Sequence, residues 1–250
     1  VMLWSLWLVP ADPRSVIGYT SSLFAAAARL LLKRRRLTAE TKCGAAEDQA
    51  DEAPAGVTVM DSPVTGAVDG ARNKRLTLFA GGAEADLDRV VPVLENLGRV
   101  IRCGSLGTGN VVKLVTNQLW FIHAASIGEG FALGMANGVE LSVLYDAICD
   151  SVGDSFVARH DGPSIFAGHY DPSFTLDLCL KDLGRVRELE SSLEEPLVMT
   201  AAAHGVFEDA AERYGRNVGE LHVAKRLEDD NQLSFRMDGD WVAPWDVTDD

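Results

Sequence analysis

A glycine-rich turn that leads into a long apolar helix is the feature that most constrains how this sequence folds. Gly104, Gly107 and Gly109 allow tight backbone turns, and the residues that follow favour one helix over 110–137, which Gly138 closes. Strand patterns occur before this helix, and none recurs for a long way after it. The chain therefore divides into a region with strands and a region of helices.

Two polar residues lie one turn apart on this helix. Lys113 and Asn117 are separated by four positions, so they share a face. The neighbours of Lys113 are apolar, and burial among them lowers the pKa of an ammonium group, which suits it to proton transfer. A surface lysine with a buried aliphatic stem is the alternative, and the spacing alone favours it.

A second motif follows an apolar strand. The strand at Val57–Met60 runs into Asp61–Ala67, a loop with a hydroxyl group, a glycine and backbone N–H groups. Such a set of donors suits a carboxylate ligand. An ordinary turn is the alternative.

Residues 56–109 combine strands with one helix. Strands are predicted at Val57–Met60, Leu76–Ala80 and Arg99–Arg102, and apolar residues at helical spacing predict a helix over 83–97. This module is half of an α/β domain. Beyond the long helix the pattern predicts only helices, over 142–151, 155–168 with a break at Pro163, 177–192, 196–214 and 218–227.

The two ends of the chain are less regular. Residues 1–55 form an atypical segment with helices predicted at 19–37 and over 40–55, and its apolar start at 1–9 is far shorter than the roughly 20 residues of a membrane span. Residues 228–250 form an acidic tail, in which Trp241 and Trp245 are expected to dock on the helical region. A disordered tail is the alternative.

Charge and cysteine content exclude several classes of function. A formal net charge of −14 is unfavourable for binding nucleic acids or anionic membranes, because both need a basic surface. The four cysteines lie far apart, without the spacing of a zinc site or a disulfide framework, and the five histidines show no ligand spacing. We therefore expect no metal site and a reducing, cytoplasmic location.

Three motifs in this order resemble the β-hydroxyacid dehydrogenase family, the relatives of 3-hydroxyisobutyrate dehydrogenase and 6-phosphogluconate dehydrogenase. They are the Asp61–Ala67 loop, the turn and helix that carry Lys113 and Asn117, and the Leu180–Leu183 segment with its Lys-Asp pair. The resemblance covers roughly residues 55–227. It implies an α/β plus all-α fold: an incomplete Rossmann-like domain over 56–109, then a long interdomain helix that opens an all-helical substrate and dimerisation domain over 110–227.

The resemblance also implies an activity. The family transfers a hydride between NAD or NADP and a short hydroxy acid, or its carbonyl form, and Lys113 stands in the position of the general acid or base. Lys181 and Asp182 are adjacent charged residues, which are ordinarily exposed to solvent. Only the resemblance assigns this pair to cofactor binding. The implied site residues are Lys113 for catalysis, Ser62, Thr65, Gly66, Ala67 and Asn117 for substrate binding, and Lys181 and Asp182 for cofactor binding.

Three departures from the family pattern stand against full activity. Ala67 stands where the family usually has a second glycine, and Thr116 where it usually has an asparagine. The G-x-G-x-x-G fingerprint that holds the cofactor pyrophosphate is missing, because residues 1–54 contain only Gly18 and Gly44. We therefore expect nicotinamide dinucleotides to bind weakly or not at all.

Two other functions stay open. A cofactor-deficient homologue would act as a structural or partner-binding subunit without catalysis. Relatives that reduce imines share the fold but commonly carry an aspartate or tyrosine in place of the lysine, so Lys113 favours alcohol or carbonyl chemistry over an imine reductase-like activity.

Two surfaces are expected to need a covering partner. The strand at Val57–Met60 lacks its usual sheet neighbours, so the Trp4–Trp7 segment, the helix at 19–37 or another chain must cover its edge. The helical domain carries small residues along its first helix and more apolar surface than one layer of helices covers. We therefore expect a homodimer or a larger assembly that forms through the helical domain.

Overall fold

The computed structural model describes residues 6–10, 17–18, 57–239 and 241, the first two segments through their backbone alone. The chain divides into two compact units, Val1–Val115 and Thr116–Asp250. The helices predicted at 19–37 and over 40–55, and Trp245, lie outside the described residues. The described residues confirm the α/β plus all-α fold.

The described part of the first unit contains a mixed sheet, two short helices and the start of the long helix α3, Thr108–Ala136. Its elements are β1 (Leu6–Pro10), β2 (Ile17–Gly18), β3 (Val57–Asp61), β4 (Val64–Thr65), α1 (Ala67–Arg72), β5 (Leu76–Gly81), α2 (Glu84–Leu94) and β6 (Gly98–Gly104). β1 pairs antiparallel with β2 and β3, while β5 pairs antiparallel with β3 and β4 and parallel with β6. The three predicted strands are therefore confirmed, since each lies within β3, β5 or β6.

The parallel pair β5 and β6 is joined by α2, which packs on the sheet. Four side chains of α2 are buried in the core of this unit, at the spacing that predicted the helix. The core cluster contains Met60, Leu76, Leu78 and Ala80 from the strands and Leu87, Val90, Val91 and Leu94 from α2.

α2 ends at Leu94, three residues before its predicted end. The backbone tightens there, because the Leu97 N–H donates to the Leu94 carbonyl at 2.8 Å. Gly98 then begins β6 with φ +149°, and a Cβ at that position would come within 2.6 Å of the Leu76 nitrogen. Only glycine lets the two parallel strands approach this closely.

The edge of β3 is covered by β1, a strand that the sequence analysis did not predict. Five residue pairs join them, from Leu6 opposite Asp61 to Pro10 opposite Val57. Of the three expected coverings, the apolar segment near the start of the chain occupies this edge. In a Rossmann-like βαβ unit the neighbouring strand is parallel, so this antiparallel pairing departs from the usual sheet.

The second unit is helical. Its elements are the part of α3 (Thr108–Ala136) beyond Val115, α4 (Leu141–Cys149), a π-helical turn at Val157–Asp161, α5 (Gly162–Ala167), α6 (Leu176–Glu190), α7 (Val198–Tyr214) and α8 (His222–Asn231). Gly138, with φ +83°, follows α3 as predicted.

Two helices of this unit differ from their predicted form. The predicted helix over 155–168 is a π-helical turn that becomes α-helical at Gly162, and Pro163 lies in the first turn of α5. The last helix begins at His222 and not at 218. Gly219 forms an isolated β-bridge with Thr175 just before the helix. Hydrogen bonds flank this bridge, because the Leu176 N–H donates to the Val218 carbonyl at 3.0 Å and the Glu220 N–H to the Phe174 carbonyl at 2.9 Å.

Aromatic rings fill the core of the second unit. Fully buried rings come from Phe121, Phe131, Phe166, Phe207 and Phe235. Among the described helices, α3 has the length and a mean hydropathy of 1.2 that a membrane span also has, but a buried core helix passes the same test, and 39% of that stretch is buried. Its length and composition alone therefore do not distinguish the two.

Candidate active site

The side chains of Lys113 and Asn117 are both buried on α3. Their exposed fractions are 6% and 3%. This burial agrees with a desolvated lysine among apolar neighbours and not with the surface lysine that was the alternative. The proton-transfer role of Lys113 remains a prediction.

Asn117 forms a buried hydrogen bond with α6. Its Nδ2 donates to Oδ2 of Asp182 at 3.0 Å, and Asp182 is completely buried. The neighbouring Lys181 is 40% exposed, with its Nζ 3.6 Å from the other Asp182 oxygen. The predicted cofactor pair therefore consists of one accessible cation, Lys181, and one interior carboxylate, Asp182, which bonds to the asparagine predicted to bind substrate.

The loop after β3 changes from buried to exposed along its length. Ser62 is completely buried, Thr65 lies in β4 and is half-buried, and Gly66 and Ala67 are exposed. Both exposed residues have positive φ, 119° and 52°. Of the four residues predicted to bind substrate in this loop, Ser62 is therefore interior, and Thr65, Gly66 and Ala67 are accessible.

Ala67 adopts a backbone conformation that an L-residue disfavours. The left-handed region costs a non-glycine residue about 1–2 kcal/mol, which a glycine avoids. The alanine at this position, where the family usually has glycine, therefore carries backbone strain at the candidate carboxylate site.

Asp61 is a site residue that the sequence analysis quoted but assigned no role. It ends β3, is 1% exposed, and accepts the Gly107 N–H on Oδ1 and the Asn110 N–H on Oδ2, both at 2.7 Å. Burial raises the pKa of the Asp61 carboxyl, and these N–H groups oppose the rise. Two features of the sequence could have indicated this contact: an acid at the end of a strand, and a long helix that has no acid in its first turn.

The predicted site residues fall into two groups. In the first unit, Asp61 ties the Ser62–Ala67 loop to the start of α3, three residues before Lys113. In the second unit, Asn117 bonds to Asp182 and so lies close to Lys181. Within 57–239 and residue 241, no group of three or more His, Cys, Asp or Glu side chains is arranged to hold a metal ion.

Two family profiles match adjacent stretches of the chain. Residues 39–107 match the NAD binding domain of 6-phosphogluconate dehydrogenase, and residues 107–227 match the NAD-binding profile of NADP-dependent 3-hydroxyisobutyrate dehydrogenase. The chain belongs to the β-hydroxyacid dehydrogenase family. The match begins at residue 39, earlier than the residue 55 expected from the motifs, and ends at 227 as expected.

Individual members of the β-hydroxyacid dehydrogenase family are similar to this chain over about two thirds of its length. L-threonate dehydrogenase of Escherichia coli is 33% identical over 164 residues, 64% of this chain and 54% of that protein. 2-(Hydroxymethyl)glutarate dehydrogenase of Eubacterium barkeri is 34% identical over 61% of this chain and 52% of its own length. The crystal structure of 3-hydroxyisobutyrate dehydrogenase from Salmonella typhimurium superposes with a TM-score of 0.61 at 30% identity, over 67% of this chain and 59% of that one.

This β-hydroxyacid dehydrogenase chain spans about half the length of the curated relatives it matches. The family binds NAD or NADP. In the described part of the chain, the turn most like a phosphate cradle is the glycine-rich start of α3, but its Gly107 and Asn110 N–H groups donate to Asp61. That turn therefore does not fit a pyrophosphate, and the described residues offer Lys181 as an accessible cation but no phosphate cradle.

Proposed function

We propose that this chain carries the proton-transfer and carboxylate-binding part of an NAD(P)-dependent dehydrogenase of the 3-hydroxyisobutyrate dehydrogenase type, acting on a short hydroxy acid or its carbonyl form. The observation that carries the proposal is a buried lysine, Lys113, one turn before a buried asparagine that is anchored by Asp182. A buried ammonium group with a fixed polar neighbour suits proton transfer.

Each residue has a separate role in this proposal. Lys113 takes the hydroxyl proton of the substrate at its Nζ when the alcohol is oxidised, and returns it when the carbonyl is reduced. Asn117 orients the substrate oxygen, and its bond to Asp182 holds the amide in one orientation. A nicotinamide cofactor, when bound, accepts or supplies the hydride.

The loop after β3 supplies the carboxylate contacts. Thr65 Oγ1 and the backbone N–H groups of Gly66 and Ala67 are the proposed donors, since they belong to the half-buried and exposed part of the loop. Ser62 supports the loop from below. On the cofactor side Lys181 is the proposed contact, and Asp182 acts through Lys181 and Asn117 and does not touch the cofactor.

The test is the turnover of a panel of short hydroxy acids with NAD⁺ and NADP⁺. In a preparation that binds cofactor, Lys113→Ala is expected to lower turnover by about 10²–10⁴, the usual contribution of a general acid or base. The matched control is Lys225→Ala, which removes an exposed lysine paired with Asp229 on α8. Equal turnover in the Lys113→Ala variant and the wild type would exclude Lys113 from proton transfer.

A cofactor-deficient subunit is the second candidate function. It is favoured by the antiparallel β1 beside β3 and by the engagement of the α3 amino terminus with Asp61. Such a chain would keep the helical unit as an assembly surface and would bind a partner without catalysis.

A further inference from the structure

The end of β3 and the start of α3 meet at one buried carboxylate. Asp61 accepts hydrogen bonds from Gly107 and Asn110, which are 46 and 49 residues further along the chain. Both donor–acceptor distances are 2.7 Å, short for N–H···O bonds and consistent with an ionised acceptor. The contact lies wholly within the first unit.

The amino terminus of α3 receives its negative charge from a different element. Its first turn contains no acidic residue, and the Thr108 hydroxyl acts as a donor to the Ser105 carbonyl at 2.6 Å. The first N–H groups of a helix need acceptors from outside, and they carry partial positive charge. Asp61 supplies both the acceptor and the negative charge from a different element.

Two glycines make room for this carboxylate. A Cβ at Gly109 would lie 2.7 Å from Asp61 Oδ2, and a Cβ at Gly81, the last residue of β5, would collide with Oδ1. Gly109 is therefore needed for the close approach of Asp61 to the helix as well as for the turn. The helix end, the end of β5 and the carboxylate pack at a separation that a methyl group would prevent.

We propose that Asp61 is a positioning residue, which holds the first turn of α3, and with it Lys113, at a fixed place relative to the substrate loop that begins at Ser62. Lys113 is three residues, about 4.5 Å along the helix axis, from Asn110. The loop begins at the residue after Asp61. One carboxylate thus connects the proposed proton-transfer residue with the proposed carboxylate site.

The proposal rests on the role proposed above for Lys113. Catalytic groups need placement to within about 0.5 Å, and a shift of about 1 Å costs up to about 10² in rate. Asp61 is buried and bonds to the backbone, so it acts through the helix and not on the substrate.

Two variants disturb the cap in different ways. Asp61→Asn keeps the shape of the side chain but removes its charge and replaces one acceptor oxygen with a donor. Gly81→Ala keeps the charge, and its methyl group displaces both the carboxylate and the helix start, because it would collide with Asp61 Oδ1 and lie 2.8 Å from the Ser105 oxygen and 3.0 Å from the Gly109 nitrogen. The matched control is Glu84→Gln, which removes one negative charge from the exposed first turn of α2.

The first measurement is amide hydrogen exchange and proton shift at Gly107 and Asn110 by NMR. In the wild type both amide signals are expected to follow one ionisation, that of Asp61, and to exchange slowly. Both cap variants should accelerate exchange at these two amides by about tenfold or more, and the control should not. Unchanged exchange in both variants overturns the cap itself.

The second measurement is the titration of the Lys113 ammonium group, followed by NMR of methyl-labelled lysines and assigned with Lys113→Arg. A displaced first turn changes the surroundings of a buried lysine, so its pKa should move by about half a unit or more in Gly81→Ala, in which no charge is lost. The control should leave it in place. If the amides lose protection but the pKa of Lys113 does not change, Asp61 only stabilises the helix end. That result would overturn the positioning role.

Measurements of turnover distinguish a failure of this inference from a failure of the proposed function. If the wild type oxidises a hydroxy acid, both cap variants should lower kcat by about 10–10² with a smaller change in KM. If no substrate and cofactor pair supports turnover, the proposed function fails, and the Lys113 titration still decides whether Asp61 positions that lysine.

Discussion

At the scale of single residues, the buried acids of the helical unit are the least ordinary groups. Glu220 is completely buried, and neither carboxyl oxygen bonds to another residue among those described. Burial raises the pKa of Glu220 well above its usual 4.5, and the charges of Asp171 and Asp161 raise it further. At pH values between the unfolded and the folded pKa, the folded protein therefore holds a proton on Glu220 that the unfolded chain releases.

This difference predicts a stability that falls as pH rises. Because the folded pKa is raised, the contribution of Glu220 is full below the unfolded pKa and declines by about 1.4 kcal/mol per pH unit until the folded pKa is reached. Glu220→Gln imitates the protonated acid, so the variant should unfold at higher urea concentration than the wild type, by a margin that widens from about pH 5 to pH 8. The measurement is urea unfolding across that range, with the exposed Glu188→Gln on α6 as control; a margin that is constant with pH would contradict the assignment.

At the scale of elements, α3 combines two kinds of glycine. A Cβ at Gly128 would lie 3.0 Å from the Cα of Ala224 on α8, whereas a Cβ at Gly130 would meet no atom of the described residues within 4 Å. The small-residue surface predicted for this helix is therefore used at Gly128, which lets α8 approach its backbone. Among the described residues, no close contact requires a glycine at position 130, so Gly130 only lowers the helix propensity of α3.

The two glycines should respond in opposite directions to the same substitution. Gly130→Ala is expected to raise the free energy of unfolding by about 0.5–1 kcal/mol, because alanine favours the helix and restricts the unfolded chain. Gly128→Ala should lower it by about 1–3 kcal/mol, since the added methyl group overpacks the contact with α8. Denaturant unfolding of the pair, with circular dichroism as the probe, compares them directly, and stabilisation by both would show that α8 does not pack at Gly128.

At the scale of the whole molecule, the cofactor is the decisive ligand. The described residues include the lysine, the asparagine and the loop that are predicted to bind substrate, but the N–H groups of the glycine turn at α3 already donate to Asp61. One exposed cation such as Lys181 adds only about 0–1 kcal/mol to phosphate binding.

We therefore predict that this chain by itself binds NADH and NADPH with a dissociation constant no tighter than about 1 mM, equivalent to about −4 kcal/mol. Cofactor fluorescence and titration calorimetry measure this, with Escherichia coli L-threonate dehydrogenase as the positive control. Micromolar binding of either cofactor would mean that residues 1–55 build a nucleotide site, and it would remove the case for a cofactor-deficient subunit.

Assembly is the second property at this scale. The helical unit leaves large apolar side chains exposed, including Leu133 at 69%, Val198 at 70% and Met199 at 62%. Surfaces of this kind are ordinarily covered by a partner. We propose a homodimer or larger assembly through this unit.

Light scattering tests the assembly. A particle of at least twice 26.9 kDa is expected at micromolar concentration. Leu133→Glu on α3 should weaken the assembly, whereas Val152→Glu, on the loop after α4, is the control. A particle of 26.9 kDa across that concentration range would contradict the proposal.

The sequence by itself determined the order and type of most described elements and the family to which the chain belongs. Helical spacing in α2 and α3, the apolar runs of β3 and β5, and the glycines at 98 and 138 act over a few neighbouring residues, so they can be recognised without the fold. The three ordered motifs are equally local, and they predicted Lys113 and Asn117 as site residues.

Only the tertiary structure decided which of these residues meet. Asp61 bonds to amides 46 and 49 residues away, and Asp182 bonds to Asn117 65 residues before it. Hydrogen bonds between distant segments leave no periodic pattern in either segment. The acid at the end of β3 could be noticed in the sequence, but its partners Gly107 and Asn110, and the interior position of Asp182, could not be predicted from neighbouring residues. The sequence left three possible coverings for the edge of β3, and the structure decided for β1 through its pairing with β3. The displaced start of α8 has the same cause, because the 174–176 segment supplies hydrogen-bond partners from another part of the chain.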